Sequence, residues 1–84
     1  MRIELDISAE IRKGNLTVQT SVQQGRRVDI LYEITDADTP LRCGNGCNRP
    51  AKFVVFMRTH KGNESISTDC EEHSRWFRNY ISHL

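Results

Sequence analysis

Apolar and polar residues alternate along the first third of the chain. Three runs follow this period of two, which is typical of β-strands with one buried and one exposed face. Short turns that contain Gly14 and Gly25 separate the runs. Residues 1–35 are therefore predicted to form a three-stranded antiparallel meander with one buried face. The apolar-face positions of the three runs are Ile3, Leu5, Ile7, Ala9 and Ile11, then Leu16, Val18, Thr20 and Val22, then Val28, Ile30, Tyr32 and Ile34.

The first of these runs has an alternative interpretation. Ser8 could cap a single helical turn that covers Ala9 to Lys13. A segment of five residues is too short to nucleate a helix without tertiary contacts. The strand is therefore the preferred prediction for this run.

The second half of the chain predicts a hairpin followed by a helix. Phe53 to Arg58 reads as a strand, a turn at 61–63 reverses the chain, and Glu64 to Thr68 reads as the partner strand. A helix is predicted from Cys70 to Leu84. Thr68 with Glu71 fits a capping box for this helix, and Asp69 is an alternative cap. The predicted fold class is α+β.

The predicted helix has one apolar and one polar face. At 100° per residue, Cys70, His73, Phe77, Tyr80, Ile81 and Leu84 share the face towards the core, and Glu71, Arg75, Arg78 and Asn79 lie opposite. The glutamates at 71 and 72 precede Arg75 by one turn, which favours a solvated face of paired charges. Trp76 falls at the edge of the apolar arc. Core packing is the default expectation for it, and an exposed anchor for a partner is the alternative.

Length and charge limit the size and the partners of the protein. The 84 residues have room for one domain, 1–84, in which an acidic connector, 36–40, separates the meander (1–35) from a second module (42–84). A formal charge of +1 gives no general electrostatic attraction to nucleic acids or membranes. Charges at alternate positions near Met1 exclude a secretory signal or a membrane span there. A cytoplasmic location, where thiols stay reduced, is expected.

All three cysteines belong to one metal-ligand pattern. Cys43 and Cys47 are separated by three residues, and Cys70 and His73 by two. Three thiols and an imidazole make a complete ligand set for one tetrahedral zinc ion. A disulfide or simply buried thiols are the alternatives. His60 competes with His73 as fourth ligand, whereas His83 is about 20 Å from Cys70 along a helix and is too distant.

The second module resembles a known class of zinc protein. Its glycine-rich knuckle at 43–47, hairpin and ligand-bearing helix resemble the treble-clef zinc finger. More narrowly, Cys47 to Ala51 and Cys70 to His73 are similar to the short bacterial and phage zinc-binding proteins. The resemblance covers residues 42–84 and differs from the usual C-x2-C knuckle by one residue. It implies that the four ligands are structural, and it implies little about function.

The residues favour a binding role over catalysis. Cys and His can fill all four zinc positions, whereas a catalytic zinc keeps one position open. We therefore expect a non-enzymatic protein-interaction or regulatory module with one structural zinc ion, and neither a small-molecule substrate nor a membrane as its partner. The alternative is a nucleic-acid-binding regulator. The candidate partner-binding residues are Trp76 for a protein and Arg42, Arg49, Lys52, Arg58 and Lys61 for a nucleic acid.

Overall fold

A computed structural model describes residues 6–44 and 46–84. Within them the four strands form one antiparallel sheet in the order β1-β2-β3-β4. Neither helix in these residues has the length and apolar character needed to cross a membrane. The elements are α1 (Ile7–Arg12), β1 (Leu16–Gln24), β2 (Arg27–Ile34), β3 (Phe53–Arg58), β4 (Glu64–Asp69) and α2 (Arg75–Ser82).

The predicted first strand is wrong, because the chain from Ile7 forms α1 instead. The helix begins at Asp6, whose Oδ1 accepts the Ala9 N–H at 3.1 Å. It ends at Gly14 with φ of 80°, where the N–H groups of Gly14 and Asn15 donate to carbonyls of the last turn, a Schellman motif. Caps at both ends supply the local stabilisation that six residues lack on their own. The start of the predicted strand, residues 1–5, lies outside the described residues.

The predicted three-stranded meander is likewise replaced by a four-stranded sheet. The second and third predicted strands are present as β1 and β2, and they form a hairpin as expected. The edge of β2 then pairs with β3, so that Ile30 lies opposite Phe56 and Tyr32 opposite Val54. The α+β class holds, but the two predicted parts share one sheet because β2 exposes a row of backbone donors and acceptors that β3 satisfies.

Both faces of the sheet are buried, where one buried face was predicted. A β-bulge between Val18 and Thr20 shifts the register of β1, so that its two halves point their apolar residues to opposite sides. Leu16 packs in one core cluster and Val22 against the other. One face of the sheet, here called the loop face, carries a cluster in which half-buried Ile7 and Leu41 pack against five buried residues, Leu16, Tyr32, Ile34, Ala51 and Val54. On the helix face, Leu31, Phe53 and Val55 pack with Phe77 and Ile81 of α2.

Helix α2 begins later than predicted. Thr68 and Asp69 belong to β4, where they pair with Val54 and Phe53, and the N-cap residue of α2 is Ser74. The chain from Cys70 to Ser74 forms a turn before α2 starts. The predicted apolar arc is confirmed at Phe77 and Ile81, which are buried, while Leu84 is exposed.

A polar contact fastens the far end of α2 to β2. Asp29 is buried, and its Oδ2 accepts a hydrogen bond from Arg27 Nε at 3.2 Å. Arg27 also donates to the hydroxyl of Tyr80 and lies over the Tyr80 ring. Within the described residues, Oδ1 of Asp29 has no hydrogen-bond partner. The contact joins Tyr80 of α2 to the first residue of β2.

Candidate metal centre

The first two candidate ligands lie on the ligand loop, residues 42–51. The loop closes through an antiparallel bridge between Arg42 and Pro50. Its backbone passes through the left-handed region at Gly46 (φ 82°) and Asn48 (φ 58°), where glycine and asparagine are the least strained residues. These two residues flank Cys47 and reverse the chain around its thiol. Asn45, between the two cysteines, lies outside the described residues.

Backbone hydrogen bonds hold the ligand loop against the end of β4. The N–H of Gly44 donates to the Thr68 carbonyl at 2.7 Å, and Thr68 Oγ1 donates to the Arg42 carbonyl at 2.8 Å. A Cβ at Gly44 would lie 3.4 Å from the Thr68 carbonyl oxygen, a tight contact that glycine avoids. The loop therefore sits next to the point where the chain leaves the sheet for Cys70.

The other two candidate ligands lie on the ligand turn, residues 70–74. The N–H of Ser74 donates to the Cys70 carbonyl at 3.0 Å and closes one helical turn. This places His73 over Cys70, as expected for a spacing of three, although the turn precedes α2 and is not part of it. The relative position of Cys70 and His73 thus follows from this turn and does not require α2.

The four candidate ligands converge. One ligand atom from each of Cys43, Cys47, Cys70 and His73 lies within 4.8 Å of all the others. Cys47 Sγ is 3.7 Å from Cys70 Sγ, and His73 Nδ1 is 3.3 Å from the Sγ atoms of Cys43 and Cys70. A tetrahedral zinc with bonds of about 2.3 Å to sulfur and about 2.0 Å to nitrogen requires separations of about 3.5 to 3.8 Å between its ligands. The cluster is a candidate metal site whose donors and spacing are consistent with zinc.

Backbone amides and thiols shift the pKa values within the cluster. The His73 N–H donates to Cys70 Sγ at 3.4 Å, and this bond is the main cause that lowers the pKa of Cys70. The Arg49 N–H lowers the pKa of Cys47, but burial and the neighbouring thiols outweigh this bond and leave that pKa raised. Hydrogen bonds with Cys43 and then Cys70 raise the pKa of His73. The thiolates and the imidazole thus compete for protons in a small volume, which is the situation that a divalent cation relieves.

Neither alternative histidine belongs to the cluster. His60 is exposed beside the β3–β4 turn, and His83 is the C-cap residue of α2, with Nδ1 2.6 Å from the Asn79 carbonyl oxygen. The alternative of a disulfide is also not realised, because the thiols of Cys47 and Cys70 are 3.7 Å apart, well beyond the S–S bond length of about 2.05 Å.

An ion pair connects the two ligand-bearing segments. Arg49 of the ligand loop donates to the carboxylate of Glu72 in the ligand turn. Glu72 was expected to pair with Arg75 on a solvated face of the helix. The structure instead directs its carboxylate across the metal site, where Arg49 lowers the pKa of Glu72. In the described residues, Glu71 and Glu72 form no hydrogen bond or ion pair with Arg75, although the charge of Arg75 also helps to lower the pKa of Glu72.

Trp76 is exposed, so the default prediction of core packing is wrong. Its relative exposure is 55 %, although its ring contacts the edge of Phe77 with centroids 5.5 Å apart. The ligand turn delays the start of α2, and Phe77 and Ile81 then face the sheet while Trp76 points away from it. The alternative, an exposed aromatic side chain, is the one observed.

The five basic candidates do not form one patch. Arg49 and Lys52 line an open groove of about 620 Å³ beside the ligand turn. Arg58 and Lys61 line a second cavity, of about 470 Å³, at the tips of the two hairpins. Arg58 lies six positions after Lys52 along β3, which corresponds to about 20 Å. Arg42 is exposed at the bridge that closes the ligand loop and lines neither cavity.

Three basic residues that the sequence analysis did not include among the binding candidates join these groups; Arg75 and Arg78 were instead assigned to a solvated helix face. Arg75 and Arg78 line the groove with Arg49 and Lys52, and Arg26 lines the hairpin-tip cavity. The spacing of three between Arg75 and Arg78 signals that they share one helix face. The sequence does not indicate that this helix face lies beside Lys52, because their proximity depends on how α2 packs against the sheet.

Comparison with models of known protein families, with curated proteins and with solved structures finds no match to this chain. The description of the protein therefore rests on its own geometry: a small α+β sheet protein with a candidate metal site built from three cysteines and one histidine.

Proposed function

We propose that the chain is a non-catalytic binding module in which Cys43, Cys47, Cys70 and His73 hold one structural zinc ion. The observation that carries this proposal is the convergence of four donor atoms at separations close to those of a tetrahedral zinc site. The order of ligand loop, hairpin, ligand turn and helix supports a treble-clef-like arrangement in residues 42–84.

The donor set supports a structural role for the metal. Structural zinc sites are closed by four Cys and His ligands, while catalytic sites reserve one position for water or substrate. Cys43 and Cys70 are buried, and backbone N–H groups of His73 and Arg49 bond the thiols of Cys70 and Cys47. The role of the ion is to fasten the ligand loop to the ligand turn.

Two exposed features support a protein as the partner. Trp76 projects from α2, and tryptophan is enriched among the residues that dominate interface energies. Strand β4 is an edge of the sheet, its first four residues are exposed, and Ile66 among them is apolar. An edge strand of this kind can accept a strand from another chain.

Metal analysis tests the zinc proposal directly. Protein purified without chelator should contain about one equivalent of zinc. His73→Gln should lose it, and His60→Gln should retain it. Less than about half an equivalent in the wild type would contradict a closed site of this kind.

Capture experiments test the protein-partner proposal. The zinc-loaded chain should retain one stoichiometric protein from a nuclease-treated lysate, and Trp76→Ala should lose that protein. Ile11→Ala removes another exposed apolar side chain, from α1, and should leave capture unchanged. Equal capture by the Trp76 variant would contradict a role for this side chain.

A nucleic-acid-binding regulator is the second candidate. One observation favours it: four cationic side chains from three segments of the chain line the groove beside the ligand turn.

A further inference from the structure

The groove beside the ligand turn collects positive charge from separate parts of the chain. Arg49 comes from the ligand loop, Lys52 from the residue before β3, and Arg75 and Arg78 from the first turn of α2. Glu71 and Glu72 also line it, and the carboxylate of Glu72 is paired with Arg49. Cationic side chains therefore outnumber acidic ones by two to one.

The four basic side chains differ in how many hydrogen bonds and ion pairs they already form within the protein. Arg75 makes no side-chain hydrogen bond or ion pair among the described residues, although its charge helps to lower the pKa of Glu72. Lys52 Nζ approaches Glu33 Oε1 only to 3.8 Å. Arg78 is held in place, because Nε donates to Ser74 Oγ at 3.2 Å and a terminal nitrogen donates to the Glu71 carbonyl at 2.7 Å. Its guanidinium also lies over the Phe53 ring. A guanidinium fixed in this way keeps N–H donors for a ligand and loses little conformational freedom on binding.

The lining of the groove favours a phosphate backbone over an acidic peptide. Pro50 and the candidate ligand Cys70 complete the lining, and large apolar or aromatic side chains are not among its residues. Peptide interfaces depend on such side chains as anchors, and single-stranded nucleic acids depend on aromatic rings for base stacking. Phosphate contacts need only cationic and N–H donors on an accessible surface.

We propose that Arg49, Lys52, Arg75 and Arg78 form a phosphate-contact site for the backbone of a double-stranded nucleic acid. This inference rests on the nucleic-acid candidate under the proposed function and moves the contact site from the five basic residues that the sequence suggested to these four. Arg58 lies about 20 Å from Lys52 along β3, and Arg58 and Lys61 line the hairpin-tip cavity, outside the site.

Salt dependence provides the test. Zinc-loaded protein is titrated with short fluorescein-labelled duplex DNA and, separately, duplex RNA, between about 50 and 200 mM salt. Three to four phosphate contacts predict a slope of about −3 for log K against log salt. A slope weaker than about −1 in both arms would overturn the proposal. The two arms identify which duplex supplies the phosphates.

A double variant and a charge-matched control locate the contacts. Lys52→Gln with Arg75→Gln should weaken binding about 10- to 100-fold near 0.1 M salt and reduce the slope by about two. Arg26→Gln with Lys61→Gln removes the same charge at the hairpin tips and should change the affinity less than about threefold. Equal losses in the two variants would overturn the site.

Competing ligands and the zinc content complete the test. Tighter binding to polyglutamate or to a single strand of the same sequence would overturn the choice of a duplex backbone. Each variant is checked for one equivalent of zinc. If zinc is present and duplex binding is absent, this inference fails and the zinc proposal stands; if zinc is absent from the wild type, the zinc proposal fails.

Discussion

The central strands and the metal end of this protein are held by different forces. Strands β2 and β3 pair along their length, and apolar residues cover both of their faces, with Val54 and Phe77 fully buried. The ligand loop and the ligand turn contain neither helix nor longer strand. A backbone hydrogen bond joins the loop to β4, and a surface ion pair joins the loop to the turn. Burial of apolar area stabilises the first region. The second region brings three thiols and an imidazole together, and on the proposal above a zinc ion makes that arrangement favourable.

This difference shows how one small chain can combine an apolar core with a candidate metal site. A domain of this size buries only about 60 to 65 % of its unfolded surface, so its apolar core alone is marginal. The sheet places the end of β4 next to the ligand loop, and the proposed zinc ion would there take the place of apolar contacts. The ligand loop and ligand turn can consequently carry charged and exposed side chains without loss of order.

Metal removal is the largest expected perturbation, and it should act unequally on the two regions. Structural zinc contributes about 10 to 16 kcal/mol of apparent binding free energy in zinc-finger peptides. A strong chelator or Cys70→Ser should abolish hydrogen-exchange protection of the Cys43, Gly44 and Ser74 amides. The β2 and β3 amides should keep most of theirs. Uniform loss of protection along the chain would show that the two regions are not separable.

Truncation of a core side chain should give the next largest effect. It should destabilise the sheet, the region that metal removal affects less. Phe77 is fully buried between α2 and the sheet, so Phe77→Ala should lower the free energy of unfolding by about 3 to 5 kcal/mol. Leu16→Ala on the opposite face should cost about 2 to 5 kcal/mol. Urea unfolding with and without zinc measures both. If the loss vanished in the metal-free protein, the sheet would not be an independent source of stability.

Zinc affinity should fall as the pH falls. Zinc requires deprotonated thiols and a neutral imidazole, so binding releases protons and acid reverses it. The raised pKa values of His73 and Cys47 mean that these groups hold protons to higher pH in the metal-free protein and add to the competition. Affinity should therefore rise with pH until these groups are deprotonated without metal. Zinc release to a chromogenic chelator across pH 5 to 8 checks the sign, while β-sheet circular dichroism should change less over the same range.

The smallest expected effect concerns α1, which contributes none of the four candidate ligands. Asp6→Ala removes the cap of the helix and should lower the free energy of unfolding by about 0.5 to 2 kcal/mol. Ser8→Ala is the matched control and should change it by less than about 0.5 kcal/mol, since Ser8 lies within the helix. Zinc content should be unchanged in both variants. A larger effect of the Ser8 variant would restore that residue as the cap.

Local patterns in the sequence predicted the elements whose signals are complete within a few residues. The hairpin of β3 and β4 and the runs that form β1 and β2 follow from alternation bounded by glycine turns. Alternation failed in the first run because Ile7 and Ile11 are spaced for a helix as well as for a strand. Asp6 and Gly14 then decided between the two structures by capping a helix.

The sequence by itself determined the donor set: Cys43, Cys47, Cys70 and His73 have the residue types and spacing of a metal site, because ligand chemistry resides in the side chains. Tertiary structure alone decided the rest. Pairing of β2 with β3 merged two predicted parts into one sheet, and the exit of β4 placed the ligand turn beside the ligand loop. The packing of Phe77 left Trp76 outside and brought helix arginines beside Lys52. These outcomes depend on contacts between residues distant in the chain, which no local period encodes.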